Sequence, residues 1–234
     1  MPGRPKLIGD KDRLIPAAQR QDVLAFLARH GRKYPIARMV ILLADRAGLR
    51  ISEAVALQRK DADVDRAPYR LLIRGAKHRA ADHVDEQPID AELADAIRAL
   101  KLAPAAYVVG GRSKPYTRQH ALAQIKAVHR ACELSPVYGA HSWRHGCGTR
   151  IYVNSGDLMF TMRFMRHKSV VTTQRYIHLA ANAEDLGDLL ASTGDTRRPR
   201  PRPDPNRQML LEAALAPRRK QRDAKKGGHT SGRS

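Results

Sequence analysis

The sequence contains little cysteine and no long apolar run, and both shortages narrow the possible classes of protein. Its two cysteines, Cys132 and Cys147, form no C-x-x-C motif, so neither a zinc site nor a disulfide framework is predicted. No apolar stretch approaches the roughly 20 residues that a membrane-spanning helix needs. The first residues also lack the apolar centre of a signal peptide. We therefore expect a soluble, intracellular protein from a reducing compartment, with no membrane partner.

Acidic residues are also scarce. The sequence has 23 Asp and Glu residues and 43 Lys and Arg residues, which gives a formal net charge of +20. A surplus of this size favours a polyanionic partner, and nucleic acid held through its phosphates is the simplest one. Charge alone is equally compatible with a basic structural protein that performs no chemistry. Charge therefore predicts the class of partner and leaves the reaction open.

One stretch, residues 141–178, concentrates basic side chains and a tyrosine without supplying a carboxylate pair. It holds a His-x-x-Arg pair, His141 and Arg144, then His167, and then Tyr176 nine residues later. A cationic pocket stabilises a phosphate that gains negative charge, histidines transfer protons, and a tyrosine hydroxyl can attack phosphorus. Because residues i and i+3 lie on neighbouring turns of one helix face, the pair can reach a single phosphate.

The spacing of apolar residues predicts a mainly α-helical domain with a small antiparallel β-hairpin sheet, an α+β fold. One helix is predicted from Pro16, and a second from Pro35 to a stop at Gly48. The apolar run at 70–73 is predicted to pair with residues 86–89 across a basic hairpin tip. Side chains that can cap the start of later helices are Asp90, Thr117 and Asp157.

A further arginine, Arg50, lies far upstream in residues 48–53, which read Gly-Leu-Arg-Ile-Ser-Glu. With it, the set resembles the catalytic residues of the tyrosine recombinase (phage integrase) family, in which Gly-Leu-Arg-x-Ser-Glu and His-x-Leu-Arg-His boxes are typical. The second box here contains His141, Arg144 and His145, with Trp143 in the leucine place as an expected core residue. Glu53 is then expected to be a structural partner that fixes the backbone. Each box alone is weak evidence, but their order and spacing together are specific.

The resemblance implies a reaction and a role for each residue. Tyr176 would attack the scissile phosphate, forming a 3′-phosphotyrosyl link and freeing a 5′ hydroxyl. Arg50 and Arg144 would stabilise the five-coordinate phosphate, His141 would assist proton transfer, and His167 would donate to a non-bridging oxygen. Because the covalent link keeps the energy of the phosphodiester, the resemblance implies no metal ion, no ATP and no other cofactor.

The hairpin tip and several helix faces supply the remaining predicted contacts with DNA. In the family, a lysine on a β-hairpin protonates the leaving 5′ oxygen, and Lys77 in Gly-Ala-Lys is similar to it. The basic residues expected to contact DNA are Arg74, Arg79, Arg118, Lys126, Arg130 and Arg166. Arg166 is also a departure, because the family usually has glycine directly before the histidine that His167 matches. This departure leaves the conformation of the local turn open.

The resemblance covers about residues 17–190 and implies three segments. They are a flexible basic arm at 1–16, a catalytic domain at 17–192 and a basic, mostly disordered tail at 193–234. With so few residues ahead of the domain, the chain looks like short single-domain members that lack the N-terminal core-binding domain. The implied partners are double-stranded DNA, further copies of the chain in a tetramer on DNA, with C-terminal helix exchange as one arrangement, and an accessory DNA-binding protein. The implied location is the cytoplasm, in association with the nucleoid.

The implied function is site-specific recombination or integration of DNA, as in a mobile genetic element. A type IB topoisomerase is one alternative, because it shares the chemistry but relaxes supercoils instead of exchanging strands. A DNA-binding regulator that keeps the fold without cleavage is another. The complete set of six candidate catalytic residues argues against a regulator, since a protein that only binds needs no such set.

Overall fold

The computed structural model describes residues 14–74, 84–111 and 113–174. In chain order its elements are α1 (Ala17–His30), α2 (Pro35–Ala47), α3 (Ile51–Ala56), β1 (Ala62–Asp63), β2 (Arg70–Arg74), β3 (Val84–Pro88), α4 (Ala91–Arg98), α5 (Arg118–Ala131), α6 (Ala140–Ser155) and α7 (Leu158–Phe164). The expected class, a mainly helical domain with a small antiparallel sheet, is confirmed. Among these residues, none of the helices has the length and apolar character needed to cross a membrane. Most of the predicted arm and all of the predicted tail lie outside the described residues.

Helix α2 forms the centre of the core because it is apolar on almost every side. It packs against α5 and α6, and Trp143 of α6 is buried, as expected of a core residue. The helix begins at Pro35, whose missing amide hydrogen suits a first helical position, and it ends at Gly48, as predicted. Gly48 has a φ of 59°, and a Cβ there would lie 2.9 Å from Sδ of Met165. Both the left-handed backbone and the close approach therefore require glycine.

The sheet contains three antiparallel strands in the order β1-β2-β3. The predicted hairpin forms, but residues 70–73 pair with 85–88, one residue earlier than the predicted 86–89, and Leu71 lies opposite Gln87. Directly opposed side chains share one face of a sheet, and both of these are buried. Strand β1 was not predicted, because two residues are too short to show an alternating pattern. The hairpin therefore turns one face, including the polar Gln87, towards the interior.

An ion-pair network joins α1, α2 and α6 inside the core. Asp45 has no exposed surface, and it accepts hydrogen bonds from Nε of Arg20 at 2.7 Å and from Nη2 of Arg150 at 2.8 Å. Arg150 also donates to the backbone oxygen of Asp45 at 2.6 Å. Burial by itself would raise the pKa of Asp45, but Arg150 and Arg20 outweigh it and hold that pKa below its ordinary value. The carboxylate is therefore charged in the folded protein at neutral pH.

A second buried polar pair joins α5 to α6. The indole Nε1 of Trp143 donates to Nε2 of His129, at 3.0 Å. His129 is buried, and this burial, together with the nearby charge of Lys126, lowers the pKa of His129 from 6.5 to about 4. The ring is therefore neutral in the folded protein at pH values where an exposed histidine begins to take up a proton.

We expect the free energy of unfolding to fall as the pH is lowered from 6.5 towards 4. In this window the unfolded chain binds a proton at His129 and the folded protein does not, so acid favours the unfolded state. His129→Gln keeps an acceptor for Trp143 but does not titrate. Urea unfolding of both proteins across this window measures the effect. An equally steep pH dependence in the two would contradict the assignment to His129.

Candidate active site

Arg50 directly follows the Gly48 turn and stands at the start of α3, where backbone amides lack helical partners. Its amide donates to Oε2 of Glu53 at 2.8 Å, and its Nη1 donates to Oε1 of the same carboxylate at 2.6 Å. The expectation that Glu53 fixes the backbone here is confirmed by the first of these bonds. The side chain of Arg50 is 38% exposed, so an incoming ligand can reach its guanidinium.

Arg144 is brought to the same place by α6, but it is buried, with 5% of its side chain exposed. Its Nη1 donates to the backbone oxygen of Gly48, and its Nη2 donates to that of Met165. These carbonyls lie at the C-terminal ends of α2 and α7, where they have no helical partner and carry partial negative charge. Arg144 therefore fastens the turn before Arg50 to the turn before His167.

His141 lies one turn before Arg144 in the first turn of α6, and it is exposed. Its ring stands perpendicular to that of His145, with 6.2 Å between the ring centroids. The helix begins at Ala140, so His141 and Arg144 have the i and i+3 relation that the sequence predicted.

Helix α7 begins and ends with local hydrogen bonds that place His167. Its N-terminus is capped by Asp157, as predicted, whose Oδ1 accepts from the amides of Met159 and Phe160 at 2.7 and 2.9 Å. After α7, the turn brings Nδ1 of His167 within 2.9 Å of Oγ1 of Thr173. His167 is partly buried, and Thr173 is fully buried. Thr173, three positions before Tyr176 in the sequence, therefore forms part of the environment of His167.

The C-terminal turn of α7 is a Schellman motif, in spite of the arginine where the family usually has glycine. The amide of His167 donates to the carbonyl of Met162, and the amide of Arg166 donates to that of Arg163, both at 3.0 Å. Arg166 occupies the left-handed position of the motif, with a φ of 53°. For a residue other than glycine this conformation costs about 1–2 kcal/mol. The local turn therefore forms, and its cost has to be offset elsewhere.

The side chain of Arg166 points inward and is 4% exposed. Its Nη2 donates to Oε2 of Glu53 at 2.7 Å, and its Nη1 donates to Oε1 of Gln87 on β3. The sequence led us to expect a DNA contact from this arginine, which calls for a surface position. The structure instead gives it buried partners within the protein.

Three arginines thus converge on one carboxylate, and we call Arg50, Arg144, Arg166 and Glu53 the arginine cluster. Burial by itself would raise the pKa of Glu53. The charge of Arg166, the amide of Arg50 and the charge of Arg144 outweigh burial, so this pKa lies below its ordinary value. With Glu53 ionised, the four side chains carry a surplus of two positive charges, which suits a bound phosphate.

The other predicted DNA contacts lie in three different settings. Arg74, at the end of β2, donates from Nε to Oδ1 of Asp61 at 2.8 Å, although its side chain is 58% exposed. Arg118 and Arg130 are exposed in the first and last turns of α5. The ammonium of Lys126 donates to the carbonyls of Pro136 and Tyr138, so it braces the loop that leads into α6. The predicted residues outside the described parts of the chain are Lys77, Arg79 and Tyr176.

Sequence reasoning missed two features of this site. Gln87 gave no signal beyond a polar residue in a predicted strand, and its contact with Arg166 spans 79 positions of the chain. The hydrogen bonds by which Arg144 joins the carbonyls of Gly48 and Met165 were also missed, because backbone partners cannot be recognised from side-chain patterns. In the described part of the chain, no three His, Cys, Asp or Glu side chains are grouped so that they could hold a metal ion.

Comparison with known proteins shows which family this part of the chain resembles. The model of the Phage integrase family matches residues 14–183. The tyrosine recombinase XerC of Mycobacterium tuberculosis is 30% identical over 182 residues, which are 72% of this chain and 60% of that protein. The chain thus spans about three-fifths of the length of this relative.

Two solved structures share the fold. The XerA recombinase superposes with a TM-score of 0.61 at 17% identity, over 78% of this chain and 66% of that one. The XerH site-specific recombinase, in a post-cleavage complex with its palindromic difH substrate, superposes with a TM-score of 0.61 at 19% identity. That match covers 75% of this chain and 52% of XerH.

Proposed function

Because the chain belongs to the phage integrase family, we propose that it is a site-specific DNA recombinase that cuts and rejoins DNA through a covalent 3′-phosphotyrosyl intermediate. The observation that carries the proposal is the arginine cluster. It brings Arg50 and Arg144, which are 94 positions apart, to one site beside the turn that bears His167. A surplus of positive charge at that site favours a phosphate whose negative charge grows during the reaction.

In the proposed reaction, the hydroxyl of Tyr176 attacks the scissile phosphorus as the bond to the 5′ oxygen breaks. The exposed guanidinium of Arg50 binds the non-bridging oxygens, since a planar guanidinium suits paired contacts with phosphate, and buried Arg144 stabilises the phosphate through its positive charge. His141 assists proton transfer and His167 donates a hydrogen bond to the phosphate. Rejoining is the reverse displacement by a 5′ hydroxyl from a partner strand, and it needs no other energy source.

Lys77 is the proposed general acid, which gives a proton to the leaving 5′ oxygen. It lies in the segment that joins β2 to β3, and both strands are anchored: Arg74 by Asp61, and Gln87 by Arg166. These contacts hold the base of the hairpin, and the proposal is that Lys77 reaches the DNA from that base.

The proposed substrate is double-stranded DNA. A net charge of +20 supports this choice, as does the DNA complex of the similar XerH recombinase. Arg118 and Arg130 are exposed at the two ends of α5, about 18 Å apart at 1.5 Å for each residue, so each can contact a different phosphate. We further propose that the chain assembles as a tetramer on DNA, that an accessory DNA-binding protein aids it, and that it resides with the nucleoid.

A plasmid recombination assay tests the proposed function. Two copies of the DNA that flanks the gene are placed on one supercoiled plasmid and incubated with the purified protein, without metal or ATP. Deletion or inversion between the copies is the expected result. Relaxed plasmid without recombinants would indicate a topoisomerase activity instead. Sequence-dependent binding without either product would indicate a regulator.

A further inference from the structure

Arg166 raises a physical question, because it combines an unfavourable backbone conformation with a buried charge. Its φ of 53° lies in the region that glycine adopts at lower cost, and 4% of its side chain is exposed. An arginine that was needed only as a surface charge would have no reason to accept both costs. The hydrogen bonds of Arg166 inside the protein must therefore offset both costs.

Those bonds join three parts of the site that are far apart in sequence. Nη1, one arm of the guanidinium, donates to Oε1 of Gln87 on β3, which lies 79 positions away in the sequence. The other reaches Oε2 of Glu53 at 2.7 Å and lies 3.4 Å from the backbone oxygen of Gly48, in the turn before Arg50. The backbone of Arg166 leads directly into His167, whose amide closes the Schellman motif.

Both partners of the Arg166 guanidinium are buried. Gln87 is 1% exposed, and its side-chain oxygen accepts the bond from Arg166. Glu53 is 7% exposed in its side chain and already binds the amide and guanidinium of Arg50. A fixed planar fork can satisfy both acceptors at once, whereas a single ammonium group cannot hold the same two directions.

We propose that Arg166 is a positioning residue of the cleavage reaction, which ties the turn of His167 to strand β3 and to Glu53 beside Arg50. This inference rests on the proposed function. It assigns to Arg166 no contact with DNA: the residue acts by holding His167, Arg50 and the base of the Lys77 hairpin in one arrangement before DNA binds. Preorganisation of this kind affects the rate of the chemical step more than the affinity for substrate.

Single-turnover cleavage of a nicked duplex at saturating DNA tests the proposal with three variants. Arg166→Gly fits the left-handed turn without strain but removes both arms, and we expect cleavage to slow by about 10- to 100-fold. Arg166→Lys keeps the charge without the fork and should recover only part of the rate. Arg163→Ala, which removes an exposed arginine three residues earlier, is the matched control and should cleave like the wild type.

DNA affinity, measured by fluorescence anisotropy over a range of salt, separates positioning from phosphate binding. We expect Arg166→Gly to bind within about twofold of the wild type and with the same dependence on salt, because a buried guanidinium releases no counterions. Weaker binding with a shallower salt dependence and a normal saturated rate would make Arg166 a phosphate ligand and overturn the proposal. A wild-type rate with unchanged affinity would also overturn it.

Thermal unfolding without DNA tests the bond between Arg166 and Gln87 independently of the proposed function. Gln87→Met retains the length of the side chain but has no amide oxygen, so it breaks only the β3 arm. In thermal unfolding, the double variant Gln87→Met/Arg166→Gly should lose less than the sum of the two single losses, because both remove the same bond. A wild type that never cleaves would end the role in cleavage and the proposed function together. Additive losses would show instead that the link itself is absent.

Discussion

Replacing Arg144 with alanine is expected to slow covalent cleavage of DNA by about 10²–10³-fold, the range for removing one preorganised donor from an anionic transition state. The effect has two sources. The phosphate loses a nearby positive charge, and the carbonyls of Gly48 and Met165 lose the group that joins them. The turns that carry Arg50 and His167 then lose their common anchor. Single-turnover cleavage at saturating DNA measures the loss in the chemical step.

Arg144→Lys is the matched variant, because it keeps the charge. A single ammonium cannot reproduce the planar fork that spans the two carbonyls, so we expect a substantial loss of rate here as well. Circular dichroism and thermal unfolding show whether each variant is folded. Folded Arg144→Ala protein that cleaves within about threefold of the wild type would contradict the role assigned to this residue.

Replacing Asp45 with alanine is expected to lower the free energy of unfolding by about 3–5 kcal/mol, as for other buried ion pairs that lose one partner. The variant leaves Arg20 and Arg150 without their shared carboxylate, with 13% and 10% of their side chains exposed. In a protein of this size, such a loss lowers the midpoint of thermal unfolding by on the order of 10 °C. The three helices α1, α2 and α6 lose the charge that joins them.

The stabilising effect of Asp45 should also depend on pH. Its pKa is lower in the folded protein than its ordinary value of 3.8, so its contribution is present above that value. It is lost as the pH falls through the lower folded pKa. Asp95→Ala is a suitable control, because Asp95 forms an exposed pair with Arg98 and should contribute below about 1 kcal/mol. Similar losses from the two variants would contradict the structural role of Asp45.

The features that the sequence predicted well depend on neighbours in the chain. Gly48 ends α2 because a left-handed residue is needed there, and the caps at Asp90, Thr117 and Asp157 are formed as expected. Each of these follows from a few consecutive residues and their hydrogen-bonding capacity. The pairing of 70–73 with a following strand was predictable to within one residue for the same reason, since only a hairpin tip separates the two strands.

The features that the sequence did not predict depend on partners that are distant in the chain. Lys126 and Arg166 are both basic residues, the first inside a predicted helix and the second just after one, and both were expected to contact DNA. Lys126 instead binds two backbone carbonyls, and Arg166 binds Glu53 and Gln87. A charge pattern gives no information on whether a cation faces solvent or a buried carboxylate, because that depends on tertiary packing.

Covalent trapping on DNA tests the central claim most directly. The protein is incubated with nicked duplexes from the DNA that flanks its own gene, so that cleavage releases a short end and cannot be reversed. After denaturation, we expect a band of protein with DNA attached, and we expect Tyr176→Phe to abolish it while leaving DNA affinity unchanged. A wild-type protein that binds these duplexes tightly and yields no covalent species, or a Tyr176→Phe variant that still yields it, would contradict the proposed mechanism.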